Sequence, residues 1–141
     1  MGVQLVFNGS ITLLIGLLCG APMGRAINNK RTEEVIAAWR VAHSGLITGA
    51  ILLFSVALIL PIASMGKVYD SILGSGFILS TYGFVIALPL GAAIGERGLS
   101  ASSGLGQVVY VGNMVGAAGA LVGGCLLTIG AASGVFKQFA G

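Results

Sequence analysis

The chain has 141 residues, of which 56% are hydrophobic and only 8% charged, with 24 glycines and a formal net charge of +3. A soluble domain carries about 25% charged residues, so this composition excludes a soluble enzyme, a secreted disulfide scaffold and a disordered tail. The mean hydropathy of +1.02 makes it an integral membrane domain, and the seven Lys/Arg beside its apolar runs are topology markers rather than a nucleic-acid footprint.

A helix needs about 20 apolar residues to cross a bilayer. In chain order, four stretches meet that length: Val3–Met23, Val35–Ala63, Ile72–Ile94 and Gly106–Ala132. The expectation is an all-α fold, a single four-helix transmembrane bundle over residues 1–141. The first stretch has no basic leader, and Leu18 precedes Cys19 where a lipoprotein cleavage box carries a small residue, so it reads as a retained helix. Gly24–Glu34 is the one strongly polar stretch. Within it Thr32 is placed to cap the second span, with Glu33 and Glu34 in the first turn. That span would measure roughly 45 Å at 1.5 Å per residue, which leaves Trp39 and Arg40 at the interface. Ser64–Ser71 and Gly95–Leu105 form the other loops. Arg25, Lys30, Arg31, Arg40 and Arg97 fall on the side of the first and third loops, Lys67 and Lys137 on the other. The positive-inside rule then places those two loops in the cytoplasm and both termini outside a bacterial inner membrane.

Small residues recur every fourth position, as Gly16-Gly20-Gly24, Gly45-Gly49, Gly83-Ala87-Gly91-Gly95 and Gly112-Gly116-Ala120-Gly124. Such ridges let helix backbones approach closely, and their number points to packing both within the bundle and between subunits. Polar groups at membrane depth carry the functional information because each is costly in hydrocarbon. No Asp or Glu lies mid-span, which argues against a rotary-ring subunit or a proton-coupled transporter. Cys19 and Cys125 lie near opposite sides of the membrane, too far apart to pair.

His43 is the single histidine, one turn below Trp39 and Arg40. Tyr110 and Asn113 of the fourth span share its depth, Tyr82 and Val85 lie somewhat deeper, and Asn8 falls near the far side. Two readings of His43 stay open: a helix histidine bonded to a neighbouring carbonyl, or a ligand. One imidazole and two distant thiols cannot build a zinc cage. One imidazole does suffice for an axial bond to haem iron, whose other four nitrogens come from the porphyrin. Arg40, on the same helix face, stands at the height where haem propionates would emerge, and a guanidinium can hold a carboxylate through two parallel hydrogen bonds. The alternative for Arg40 is an ordinary snorkelling arginine.

The run Trp39-Arg40-Val41-Ala42-His43-Ser44-Gly45, followed by Leu60-Pro61 and Gly66, resembles the second helix of styrene oxide isomerase. Ser80, Gly83-Phe84 and Arg97-Gly98-Leu99 are similar to the same family, as is hydroxylaminobenzene mutase, a smaller relative. The resemblance covers roughly residues 5–130. It implies a homotrimer with haem b between neighbouring subunits, His43 as the axial ligand, and Trp39 and Arg40 beside the cofactor. It also implies a ferric iron acting as Lewis acid to rearrange a small apolar substrate, an aryl epoxide or aryl hydroxylamine. The family carries polar groups where this chain has Gly49, Thr81 and Val85, and a first-helix histidine where it has Asn8. Tyr82, three residues before Val85, and Asn113 are the candidate catalytic replacements. Two other functions stand beside this one: a non-catalytic haem protein serving as sensor, electron carrier or accessory subunit, and a purely structural four-helix protein.

Overall fold

A computed structural model describes residues 1–98 and 104–139. Within them all regular structure is helical: α1 (Gly2–Leu18), α2 (Gly20–Asn28), α3 (Glu33–Ala63), α4 (Lys67–Ile94) and α5 (Leu105–Phe139). Four units are long and apolar enough to cross a membrane, α1 and α2 acting together as the first. Residues 99–103 of the third loop lie outside the described residues, as does the side chain of Lys137.

Three boundaries differ from the sequence expectation, each for a local reason. The first span is broken at Cys19. Pro22 has no N–H to offer the Leu18 carbonyl, and its ring crowds that oxygen. The second connection shrinks from Ser64–Ser71 to three residues, because Lys67 and Asp70 belong to the first turn of α4. There the Asp70 carboxylate accepts a hydrogen bond from the Ser64 hydroxyl at 2.9 Å. The fourth span runs on to Phe139, 35 residues in all. Thr32 does occupy the N-cap of α3, but its side chain makes no capping bond. Its carbonyl instead accepts the N–H groups of Val35 and Ile36 at 3.1 and 3.2 Å.

Two apolar clusters hold the bundle. Leu5, Leu53, Val56, Leu60, Leu73 and Phe77 pack at one end; Cys19, Ala42, Leu46 and Ala92 pack at the other, against Trp39, Phe84 and Val85. The outer surface is apolar too, with Leu58, Ile62, Val68 and Leu121 all exposed, as lipid-facing helices require.

Most of the small-residue ridge is consumed inside the chain. A Cβ on Gly83 would come 2.6 Å from the Gly112 carbonyl oxygen, and one on Gly119 would come 2.7 Å from that of Gly76. Backbone contact this close between α4 and α5 is open only to glycine. Ser80 closes the same seam by donating to the Gly116 carbonyl at 2.6 Å. Gly9 lies under the Phe54 ring, and Gly16 lies against Leu46 and Ile47 of α3. Gly24, Gly49 and Gly124 are different: nothing lies within 4 Å of a Cβ built on them. Gly91 and Gly116, both on the small-residue ridges, face the chain's own atoms. A Cβ on Gly91 would lie 2.6 Å from the Glu96 carbonyl oxygen, and one on Gly116 would lie 2.8 Å from the Phe84 ring.

Candidate functional site

His43 sits on α3 where the joint between α1 and α2 crosses it. Its Nδ1 lies 2.8 Å from the Gly16 carbonyl oxygen. A carbonyl only accepts, so this bond places the proton on Nδ1 and leaves the lone pair of the neutral ring on Nε2. Gly20 makes room for the ring: a Cβ there would approach Cε1 at 3.3 Å and Nδ1 at 3.4 Å. His43 is half-buried. Of the two readings open in the sequence, the carbonyl bond is present. It does not compete with ligation, because it uses the nitrogen that a metal would not need.

Trp39 is half-buried one turn above. It packs on the Ala42/Leu46 cluster and lines an interfacial cavity of about 520 Å³ together with Arg25, Asn29 and Arg31. Arg40 is exposed and meets the Glu33 carboxylate at 3.5 Å, a contact with both partners in solvent. An exposed pair of this kind contributes at most ~1 kcal/mol and exchanges readily, so it leaves the guanidinium available.

Tyr82 and Asn113 are not brought to His43 within the chain. The Tyr82 hydroxyl donates to Asn8 Oδ1 at 2.8 Å, and Asn8 in turn donates through Nδ2 to the Gln4 carbonyl at 2.7 Å. Asn8 lies two turns before Gly16, so this pair sits about 12 Å along the bundle from His43. Asn113 donates to the Arg97 carbonyl at 3.2 Å and ties down the third loop. That loop turns at Gly95 and Gly98, with φ of 75° and 59°, and a Cβ on Gly98 would collide with Val109 at 2.5 Å. Asn113 also lines a cavity of about 350 Å³ with Ala37, Ala38 and Val41 of α3. At 3.6 residues per turn Val41 points to nearly the opposite side of α3 from His43.

The bond partners that depth alone does not reveal are the Gly16 carbonyl, the Gly20 notch and the Asn8–Tyr82 pair. The Gly16-Gly20 repeat was the available signal for the first two. The other membrane hydroxyls follow the ordinary pattern: Ser10, Thr12, Ser44, Ser55, Thr81 and Thr128 each donate to the carbonyl four residues back.

Among the described residues no group of three or more His, Cys, Asp or Glu side chains is placed to hold a metal ion. A porphyrin-borne iron asks less of the protein, a single nitrogen with its tautomer fixed. His43 offers such a nitrogen in Nε2, because the Gly16 carbonyl engages Nδ1.

Fold and site together define a multi-pass helical membrane protein with one half-buried imidazole bonded to a backbone carbonyl. Residues 1–132 match the family model for styrene oxide isomerase, and the chain belongs to that family, whose activity is an isomerase activity. No curated protein and no solved structure matches it.

Proposed function

We propose that the protein is a haem b-dependent membrane isomerase acting on a small apolar substrate, an aryl epoxide or an aryl hydroxylamine, that arrives through the bilayer. The observation that carries this reading is the 2.8 Å bond between His43 Nδ1 and the Gly16 carbonyl, which leaves Nε2 as the ring's lone-pair nitrogen. Family membership supports the isomerase part. Bound at His43, a ferric haem would supply a Lewis acid that withdraws electron density from a substrate oxygen without net redox change.

The rest falls to the chain. His43 would hold the cofactor, Arg40 would exchange Glu33 for a propionate, and Trp39 would complete the holding set at the interface. The Ala42/Leu46/Ala92 cluster keeps water from the ring side of α3. Tyr82 and Asn113, each a bound but polar group at membrane depth, are the candidates to orient substrate. Their separation from His43 within one chain favours a closed homotrimer in which a neighbouring copy completes the site. The membrane would be the bacterial inner membrane, with the first and third loops cytoplasmic.

A second reading, haem binding without isomerisation, is favoured by a specific observation. Val85 lies among apolar side chains, nothing lies within 4 Å of a Cβ built on Gly49, and the Tyr82 proton is already committed to Asn8. One experiment separates the two. Protein purified in detergent is loaded with ferric haem, its absorption spectrum is recorded with and without styrene oxide, and aldehyde product is assayed. A spectral shift together with aldehyde supports the isomerase; haem without shift or product supports the second reading; failure to take up haem overturns both.

A further inference from the structure

We infer that Gly16 and Gly20 are positioning residues for His43: the Gly16 carbonyl fixes the Nδ1–H tautomer and the side-chain-free Gly20 holds the ring against it, presenting Nε2 for iron ligation. The ligation half rests on the haem reading above; the tautomer half does not.

The argument starts from the chemistry of the bond. Neutral histidine in water favours the proton on Nε2, which would leave only Nδ1, the nitrogen nearer the backbone, to ligate. A carbonyl oxygen 2.8 Å from Nδ1 reverses that preference, because it accepts a proton and has none to give. The oxygen can be there only because α1 presses against α3. A Cβ on Gly16 would stand 3.1 Å from both the Ile47 nitrogen and Leu46 Cβ, so any side chain would lift α1 and carry the carbonyl away. Gly20 then closes the ring's other option. With a Cβ there at 3.3 Å from Cε1 and 3.4 Å from Nδ1, the imidazole would have to give by a few tenths of an ångström, lengthening the bond to Gly16. The break between α1 and α2 at Cys19 falls between the two glycines. A histidine whose second nitrogen donates to a carbonyl is also the more basic ligand, which favours ferric over ferrous iron.

The sequence contains one histidine, so the full-length protein labelled with ¹⁵N-histidine gives one pair of ring-nitrogen signals by NMR. The cofactor-free wild type, Gly20→Ala and Gly24→Ala are compared, Gly24 being the control with open space around it. Wild type and Gly24→Ala are expected to show a protonated Nδ1 and an unprotonated Nε2. Gly20→Ala is expected to move both signals towards the average of exchanging tautomers. In a parallel titration with ferric haem, Gly20→Ala should bind about tenfold more weakly than Gly24→Ala and, once loaded, show a higher midpoint potential. A proton on Nε2 in the wild type overturns the inference, even if Gly20→Ala fails to fold, and so does a Gly20→Ala protein indistinguishable from Gly24→Ala. A wild type with the proton on Nδ1 that takes up no haem overturns the haem reading and the ligation half, and leaves the tautomer half standing.

Discussion

At Gly49 the chain carries a hydrogen where the family pattern carries an asparagine side chain, and nothing lies within 4 Å of a Cβ built there. Gly49→Asn should therefore fold without steric strain and leave the melting temperature nearly unchanged, the small gain in helix propensity being offset by the cost of an amide at membrane depth. On the proposed isomerase reading it should also raise epoxide turnover by about tenfold, by adding a hydrogen-bond donor six residues after His43. A thermal melt and a turnover assay check the two halves separately. Arg40 makes the contrasting case. The only partner of its guanidinium among the described residues is the exposed Glu33, so Arg40→Ala should leave the melting temperature nearly unchanged. Haem affinity should fall further in Arg40→Ala than in Arg25→Ala or Lys137→Ala, measured by titration; equal affinities would reduce Arg40 to a topology marker. His43 itself was legible because it is the sole histidine in an apolar chain. Its partner was not, since every residue has a carbonyl and only the packing of α1 on α3 selects that of Gly16. Depth arithmetic likewise gave the level of Tyr82 and Asn113 but not the direction in which each points.

Among the elements, the four spans were legible because hydropathy over about 20 residues is a strong signal. Their ends were not. The break at Cys19 hides inside a continuous apolar window, betrayed only by Pro22. The start of α4 hides behind Lys67 and Asp70, which read as loop by polarity yet suit the first turn of a helix. The glycine ridges were visible as spacing, but spacing does not tell a seam within a chain from one between chains. The α4–α5 seam decides this for most of them. Gly116→Leu should force the Phe84 ring and the facing backbone apart, since a Cβ alone would come 2.8 Å from that ring. Overpacking of this kind costs typically 1–3 kcal/mol or more. The loss should appear as a lower melting temperature of the chain itself, whatever its assembly state. An unchanged melt would show that α4 and α5 do not pack as described.

For the whole molecule, the proposed function sets His43 on one side of α3 and Asn113 on the other, so that on this reading a single chain does not enclose a complete site. The proposed trimer resolves this, and it should be read as three chain masses by native mass spectrometry in detergent. Gly124, which faces open space, offers the clean probe of such contacts. If the copies meet there, Gly124→Leu should lower the trimer fraction without lowering the chain's own helicity. The account stands most directly on the iron ligand. Ferric haem titrated into the wild type and into His43→Ala, followed by the absorption near the Soret wavelength, tests it in one measurement. The wild type should take up one haem per chain with a saturable Soret band that shifts when styrene oxide is added. His43→Ala, equally helical by circular dichroism, should show only the spectrum of free or detergent-dissolved haem. Full, shifted occupancy in His43→Ala would contradict the assignment of His43.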